Sequence, residues 1–194
     1  IALGKVAALG RLASEGLLDL QGRSLSVPSL SERDVDDIYE LRLLLEPEAL
    51  RQVAGRIGAR DSLLPLRHEL AVMSAAHTAG DAAAFMQANY RYRAAWLALV
   101  PNQRLLRAIE LYADHVRYLR ALTLGSPKTR QVVLCGLERL ATALSSHDGE
   151  AAARAMREHL SEAKQILQEL LGRRDDERMA VPATGQRQSQ LAGR

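Results

Sequence analysis

The feature that most constrains the fold is a series of helical patterns separated by helix-start signals, with no strand pattern after residue 27. A chain that is helical along nearly its whole length has to bury its apolar stripes against other helices. The sequence therefore predicts an all-α fold, an antiparallel bundle of six or seven helices. The longer patterns lie near residues 60–78, 81–99, 102–123, 128–146 and 149–171.

Turn and cap signals precede four of these patterns. Ser, Asp and Asn are preferred just before a helix, where their side chains accept hydrogen bonds from the free backbone N–H groups of the first turn. Gly and Pro interrupt helical periodicity and so mark where one helix ends and the next begins. The signals are Gly80-Asp81, Pro101-Asn102, Ser126-Pro127 and His147-Asp148-Gly149.

Ser31 and Asp34 mark the start of the bundle. They are three residues apart, ahead of the apolar pattern "VDDIYELRLLLE", and this spacing is typical of a capping box. Pro47 has no N–H to donate, and it suits the first turn of a helix. The sequence therefore predicts one helix after Ser31 and a second one that runs from Pro47 to Ile57.

The N-terminal residues predict a different kind of unit. Apolar residues at helical spacing indicate a helix over residues 3–16, and residues 17–27 alternate in polarity around Gly22, which is typical of a short β-hairpin. The chain starts at Ile1 and shows no signal-peptide pattern, so we expect a fragment whose true N-terminus is missing.

The composition limits the cellular compartment and the binding partners that are expected for this protein. The chain has 194 residues, enough for one good-sized domain, and a net charge of +3 does not indicate a nucleic-acid coat protein. A single cysteine, Cys135, excludes an internal disulfide framework and fits a reducing compartment, so we expect a cytoplasmic protein. No apolar run approaches the length of a membrane span, and we expect no membrane partner.

Three segments resemble a known family. "ALGRLASEGLLDLQGRSLSV" is similar to the end of the winged helix–turn–helix of GntR-family transcription regulators. "LSERDVDDIYELRLLLEPEALRQVA" and "LERLATALSSHDGEAAARAMREHL" resemble the effector-binding FCD domain of the FadR subfamily. The resemblance assigns residues 1–28 to a winged-helix remnant (recognition helix and wing) and 29–172 to an FCD-like helical domain. Residues 173–194 are polar and non-periodic, and we expect a disordered tail there.

The resemblance implies a function and a set of partners. Members of this family are dimeric repressors or activators, and their helical domain binds a small molecule, commonly a carboxylate. Binding changes the affinity for operator DNA. The implied partners are a small carboxylate metabolite, operator DNA in the intact protein, and a second copy of the chain.

Many FCD domains hold a divalent metal through an Asp and a His four residues apart and one His from each of two later helices. In this sequence those positions fall on Asn89, Arg93, Leu137 and His159. One histidine does not make a metal site, because such ions need three or four nitrogen, oxygen or sulfur ligands. We therefore expect no metal cofactor.

The segment "MQANYRYRAAWL" places Asn89 and Arg93 on one helical face. The guanidinium group of Arg93 could replace the charge of the metal and bind a carboxylate through two N–H groups, with Asn89 as a neutral neighbour. In the alternative interpretation, Arg93 forms an internal ion pair or reaches solvent, and Tyr92 and Trp96 fill the core.

His159 and Arg42 complete the predicted effector site. His159 is either a pocket residue or an ordinary buried or surface histidine. Arg42 matches an arginine that the family turns toward the effector cavity, and the alternative is a salt bridge to Glu46 at i+4. Arg117 and Arg120 lie on a helix that lines the same bundle and could add charge to the cavity, although a solvated face is what we expect.

The DNA-contacting residues that the resemblance implies are Lys5, Arg11 and Arg23, which could contact phosphates. The wing carries Ser24 where the family has glycine. The first two helices of a helix–turn–helix do not occur in these 194 residues. We therefore expect no specific DNA binding by this chain alone.

Two other classes of protein remain open. An enzyme would need a nucleophile with a positioned base, or a metal, and the sequence offers no such set. A structural or interaction protein would pack its cavity shut, and the Ala-rich segments "SAAHTAGDAAAF" and "EAAARAM" permit close helix packing. A sensor would instead enclose a polar pocket near Asn89, Arg93 and His159.

Overall fold

The computed structural model describes residues 19–21, 24–26, 31–56 and 60–180, with side chains in 31–56 and 62–173. Within these ranges the chain forms two short strands, one 3₁₀ turn (Arg60–Leu63) and seven α-helices. The prediction of an all-α bundle of six or seven helices is confirmed. The helices are α1 (Glu32–Ala54), α2 (Leu64–Thr78), α3 (Ala82–Leu97), α4 (Gln103–Glu110), α5 (Ala113–Thr123), α6 (Pro127–Ser145) and α7 (Gly149–Ala180).

A short hairpin precedes the bundle. Strands β1 (Asp19–Gln21) and β2 (Ser24–Ser26) pair antiparallel, with Leu20 opposite Leu25. The hairpin lies where the alternation of residues 17–27 predicts it. The winged-helix assignment stays a prediction. Outside the described residues lie the predicted helix over residues 3–16 and the predicted DNA-contacting residues Lys5, Arg11 and Arg23.

Side-chain caps begin the helices where the sequence predicts them. At the start of α1, Ser31 Oγ accepts a hydrogen bond from the backbone N–H of Asp34 at 3.2 Å, and the Asp34 carboxylate accepts one from the Ser31 N–H at 2.9 Å. This reciprocal pair is the predicted capping box. Asp81, Asn102 and Ser126 cap α3, α4 and α6 in the same way, each with its side-chain oxygen.

Pro47 does not begin a second helix, and that prediction is wrong. Helix α1 continues through Pro47 without a break. A proline inside a helix cannot donate to the carbonyl group four residues earlier, here that of Leu43, and costs about 3 kcal/mol. The helix persists because its next turn buries Ala49 and Leu50 in the core. Burial of apolar surface, more than local propensity, stabilises helices in proteins.

The helical pattern over residues 102–123 contains two helices, where the sequence predicts one. Helix α4 ends at Glu110 and α5 begins at Ala113. No glycine or proline lies between them, so the sequence carries no local signal for the break. Helix α4 packs on α1, whereas α5 packs on α7 and α3. The break lets each segment turn its apolar side toward its own neighbours.

Helix α7 is longer than predicted. Gly172 does not end it, and the helix runs nine residues past the predicted end at 171, to Ala180. Arg173 lies 3.7 Å from the Glu169 carboxylate at i,i+4 spacing, which supports the helix across the glycine. The predicted tail from residue 173 therefore begins inside this helix.

Helices α1 and α7 lie antiparallel along the bundle. Asp36, near the start of α1, pairs with Lys164 at 2.8 Å. Arg51, near the end of α1, lies against Gly149 at the start of α7. A Cβ atom at position 149 would lie 3.0 Å from the Arg51 carbonyl oxygen, so glycine allows the two backbones this close approach.

The core is formed by apolar side chains from every helix of the bundle. Charged side chains occupy most of the outer faces. Within the described ranges, none of the helices combines the length and the apolar character that crossing a bilayer requires. Among the fully buried side chains are Leu50, Met73, Phe85, Leu140 and Leu160.

We expect Ser31→Ala to lower the free energy of unfolding by about 1 kcal/mol, because it removes the side chain that caps the first turn of α1. Chemical denaturation followed by circular dichroism measures this loss. Ser74→Ala, at an exposed position inside α2, is the matched control and should change stability by less than about 0.5 kcal/mol. Equal effects of the two substitutions would contradict the importance of the cap.

Candidate functional site

Two helices bring three charged side chains together inside the bundle. Arg42 and Glu46 are one turn apart on α1, and Arg93 projects from α3. Glu46 Oε1 accepts a hydrogen bond from Arg42 Nε at 3.0 Å and another from Arg93 Nη1 at 2.9 Å. The residues are 6% (Arg42), 1% (Glu46) and 8% (Arg93) exposed. The i,i+4 salt bridge of Arg42 and the internal ion pair of Arg93, both considered as alternatives from the sequence, are present.

Glu46 is ionised although it is buried. Burial raises the pKa of its carboxyl group, but the charges of Arg42 and Arg93 outweigh burial and bring the pKa down to about 2. Burial opposes the charge on Arg42 as well, yet Glu46 raises the pKa of that guanidinium above its ordinary value. At Arg93, burial is dominant and lowers the pKa, and repulsion from Arg42 adds to this. One carboxylate is thus shared between two cations.

The charge of a third arginine, Arg120 of α5, also acts on the Glu46 carboxylate. Arg120 is partly buried, and burial together with repulsion from Arg93 and Arg42 lowers its pKa to about 9, so it is still a cation at pH 7. No carboxylate of the described residues lies within ion-pair distance of it. Arg117 is exposed over the Tyr90 ring, as the prediction of a solvated face requires, whereas Arg120 is only partly exposed and its charge acts on the cluster, which is the alternative considered from the sequence.

His159 of α7 lies close enough to this cluster for its charges to act on the imidazole. Burial, followed by the nearby charges of Arg120 and Arg42, lowers the pKa of His159 to about 3, so the ring is neutral at pH 7. A Cβ atom at Gly136 of α6 would lie 2.6 Å from His159 Nδ1, so the glycine leaves room for the ring. This Nδ1 has no hydrogen-bond partner in the described part of the chain.

Asn89 lies one turn before Arg93 on α3 and is also buried. Its Nδ2 lies 3.8 Å from Met73 Sδ, a weak acceptor, and its Oδ1 has no partner among the residues described. The same is true of Glu46 Oε2 and of His159 Nδ1. Each unpartnered buried polar atom costs about 1–3 kcal/mol unless water or a ligand bonds to it.

The aromatic neighbours of Arg93 belong to the core. Tyr92 and Trp96 are both fully buried. The Tyr92 hydroxyl donates to the Leu137 carbonyl oxygen at 3.3 Å, which joins α3 to α6. The Arg93 guanidinium lies 5.4 Å from the centre of the Trp96 ring, within the range of a cation–π interaction. The contact with Trp96 favours the inward orientation of Arg93.

The side chains at the four family metal positions do not form a ligand set for a metal ion. Leu137 offers no side-chain ligand, and the Arg93 guanidinium is a cation that would repel a metal. In the described ranges, no group of three or more His, Cys, Asp and Glu side chains is placed to hold a metal ion. The residues present do not fit such an ion, and the lack of a metal cofactor stays a prediction.

The structure brings some, but not all, of the predicted effector-binding residues together. Arg42 and Arg93 meet at one carboxylate, and the charge of Arg42 acts on His159. Asn89 instead turns its amide nitrogen toward α2. Glu46 and Arg120 were considered from the sequence, Glu46 only as a salt-bridge partner of Arg42, but neither was among the predicted effector-binding residues.

Two cavities in the described part of the chain bear on this site. One, of about 10 Å³, lies beside Arg42 and Glu46. The other, of about 630 Å³, is an open groove between α6 and α7. Neither cavity is bordered by Asn89, Arg93 or His159. The enclosed polar pocket that a sensor was expected to show is therefore not one of these two.

Comparison with known proteins places this bundle in a family. The FCD domain family matches residues 37–162, which include every residue of the charged cluster. The HTH-type transcriptional regulator YdhC of Bacillus subtilis strain 168, itself described as uncharacterized, is 22% identical over 165 residues. That alignment covers 84% of this chain and 74% of YdhC.

Solved structures show the same fold. Escherichia coli McbR/YncC superposes with a TM-score of 0.71 at 23% identity, over 84% of this chain and 82% of that one. A GntR-family regulator of Pseudomonas syringae pv. tomato DC3000 gives 0.62 at 22% identity, over 88% and 71%. The chain belongs to the FCD-domain transcription regulators of the GntR family.

We expect Glu46→Gln to lower the free energy of unfolding at pH 7 by about 3–5 kcal/mol, because it leaves Arg42 and Arg93 buried without a counter-charge. Glu48→Gln is the matched control on the same helix, since Glu48 pairs with Arg51 at the surface. Such a surface pair contributes less than about 1 kcal/mol. Urea denaturation at pH 7 compares the two variants.

The pH dependence of stability tests the same carboxylate. The pKa of Glu46 is about 2 in the fold and 4.5 as its ordinary value, so the stabilisation is complete above pH 4.5 and is lost as the pH falls toward 2. Glu46→Gln should flatten the decline in unfolding free energy over this window. A loss at pH 7 no larger than that of Glu48→Gln would contradict a central role for Glu46.

Proposed function

We propose that this protein is a ligand-responsive transcription regulator of the FadR subfamily and has no enzymatic activity. Its helical domain binds a small carboxylate metabolite through Arg93 and Arg42, with Asn89 and His159 beside them. Binding changes the affinity of the intact protein for operator DNA. A regulator of this kind acts in the cytoplasm, where the DNA is.

The observation that carries this proposal is an excess of positive charge inside the bundle. The buried guanidinium groups of Arg42 and Arg93 share the one carboxylate of Glu46, and the charge of Arg120 acts on the same group. Uncompensated buried charge is costly, and an anion that enters the cluster removes that cost. A guanidinium group can bind a carboxylate through two parallel hydrogen bonds, which gives direction as well as strength.

The unpartnered polar atoms support a small polar ligand. Asn89 Oδ1 and Glu46 Oε2 are acceptors that lack a donor within the described structure. A hydroxyl group on the ligand, or a water molecule bound with it, would supply one. In this proposal the fixed charge of Arg93 takes the place that a metal ion has in many FCD domains.

The place of the cluster on α1 suggests how ligand binding reaches the DNA-binding part. Helix α1 follows residue 31 directly and carries Arg42 and Glu46. A ligand that binds one arrangement of α1 more tightly shifts the population toward it. Operator affinity then changes by the same coupling free energy, and DNA changes ligand affinity in return.

A second candidate function is that of a structural or interaction protein without an effector. The cavity of about 10 Å³ beside Arg42 and Glu46 favours it, because a cavity of that size holds at most one water molecule. In this interpretation, Glu46 serves only to fix the packing of α1 against α3. Ligand binding decides between the two candidates.

We also propose that the protein is a homodimer whose interface includes α1 and α4. Leu44 on α1 is 65% exposed and Leu111, after α4, is 75% exposed. Three exposed charged residues form no ion pair with another described residue: Glu40 on α1, and Arg104 and Arg107 on α4. In a two-fold dimer the same patch meets itself, so the acid of one copy can face the arginines of the other.

We expect a panel of monocarboxylates and hydroxycarboxylates to contain ligands that raise the melting temperature progressively with concentration, because a ligand specific for the native state stabilises it. Arg93→Gln should weaken this binding about tenfold or more in calorimetric titration, since it removes a bidentate contact. It leaves the pair of Arg42 and Glu46 intact. Arg91→Gln, a half-exposed neighbour paired with Glu69, is the control and should bind as the wild type does.

Elemental analysis and EDTA accompany this titration. The proposal expects no stoichiometric zinc or nickel and no change of melting temperature with EDTA. About one metal ion per chain with destabilisation by EDTA would contradict it. No stabilisation by any carboxylate, with metal also absent, would favour the interaction protein.

Leu111→Glu should convert the dimer into a monomer in analytical ultracentrifugation, because it places charge at the centre of the proposed apolar contact. Leu64→Glu is the control, since Leu64 is 55% exposed on α2, outside the proposed interface. A monomeric wild-type protein, or dissociation only by Leu64→Glu, would contradict the interface.

A further inference from the structure

A buried acceptor without a donor borders the small cavity between α1 and α4. Glu46 is 1% exposed, and its Oε2 accepts no hydrogen bond from a described residue. A buried carboxylate oxygen without a donor is costly. The cavity beside it is lined by Leu41, Arg42, Leu45, Glu46, Ile109 and Tyr112. A ligand that enters here meets an acceptor that lacks a donor group.

The other walls of this cavity differ in chemical character. Arg42 donates to Glu46 Oε1 through Nε, and its guanidinium group has two further nitrogens that can donate. Leu41, Leu45 and Ile109 form an apolar wall opposite these charges. One small space is therefore bordered by a cation, by a free anionic acceptor and by hydrocarbon.

Helix α4 is the wall of the cavity that can move at the lowest cost. It has eight residues, all of them described, and of these only Ile109 is buried. Ile109 is also the residue of α4 that lines the cavity. An element that buries few apolar side chains opens at low cost. Because the cavity of about 10 Å³ holds at most one water molecule, a ligand has to push Ile109 and α4 outward.

We propose that the ligand of this site is an α-hydroxy monocarboxylate with an apolar side chain. Its carboxylate binds Arg42 and Arg93, and its hydroxyl group donates to Glu46 Oε2. Its apolar side chain lies between Leu45 and Ile109, in the space that opens as α4 moves outward. This inference rests on the proposed function, since it specifies the class of carboxylate that the same site takes.

The charges around Glu46 favour a hydroxyl group over an ammonium group. Both groups could donate to Oε2, so an α-amino acid would satisfy the same acceptor. An ammonium group there would also lie beside the guanidinium cations of Arg42 and Arg93, which both bind the neighbouring oxygen. A hydroxyl group has no charge and avoids this repulsion.

The first test compares ligands that share a carbon skeleton and differ at the α-carbon. Isothermal titration calorimetry of the 194-residue chain at pH 7 compares isocaproate, each enantiomer of α-hydroxyisocaproate, and leucine. The comparison is repeated with propionate, each enantiomer of lactate, and alanine. On at least one skeleton, a hydroxy acid should bind about tenfold tighter than the unsubstituted acid, because it adds a hydrogen bond to a charged acceptor. The amino acid should bind more weakly than that hydroxy acid.

Variants of α4 test the position of the apolar side chain. Ile109→Ala should raise the affinity for α-hydroxyisocaproate relative to lactate about fivefold, because it makes room for a larger side chain. Leu106→Ala is the matched control, since Leu106 is partly buried on the same helix and does not line the cavity. Each ratio is measured on one variant, so a loss of stability does not affect it. Ile109→Val is a milder variant if Ile109→Ala does not fold, and it should shift the ratio in the same direction.

The outcomes separate this inference from the proposed function. If the hydroxy acids bind no tighter than the unsubstituted acids, or the amino acids bind tighter, the contact with Glu46 Oε2 is overturned while the effector site stands. If the Ile109 variants leave the affinity ratio unchanged, or Leu106→Ala shifts it equally, the position beside α4 is overturned. If no acid of either skeleton binds, the proposed function fails together with the inference.

Discussion

The carboxylate of Glu46 is the interaction on which the interior of this bundle depends. One of its oxygens accepts hydrogen bonds from Arg42 on α1 and from Arg93 on α3. Arg93 is 47 residues away from Glu46 in the sequence. A buried ion pair seldom stabilises a protein more than apolar side chains of the same volume do. Its effect here is to specify the pairing of the two helices, because any shift between them would leave a cation buried without a partner.

The helices that could be predicted from the sequence are those with local signals. Ser31, Asp81, Asn102 and Ser126 each cap a helix, and a cap depends on residues only a few positions away. The continuation of α1 through Pro47 and the break after α4 could not be predicted, because both depend on packing between helices far apart in the sequence. Local propensity decides where a helix can begin, and tertiary contacts decide how far it continues.

The candidate site, too, could be predicted only where its contacts are local in the sequence. The spacing of Arg42 and Glu46 at i,i+4 made their salt bridge visible in the sequence. The contact of Arg93 with Glu46 has no local signal, and the break before α5, the helix that carries Arg120, has none either. The resemblance to a family selected Arg93 and His159. It could not predict which charges neutralise one another, because that depends on the positions of all the ionised side chains in the interior.

Pro47 makes α1 easier to bend close to the charged cluster. Because the proline has no N–H group, the carbonyl of Leu43 loses its helical donor within one turn of Glu46. A helix with a missing hydrogen bond bends at lower cost than an unbroken one. The point where α1 bends most easily therefore lies beside its buried ion pair. The part of α1 before Pro47 can therefore tilt while the part after Pro47 stays packed in the core.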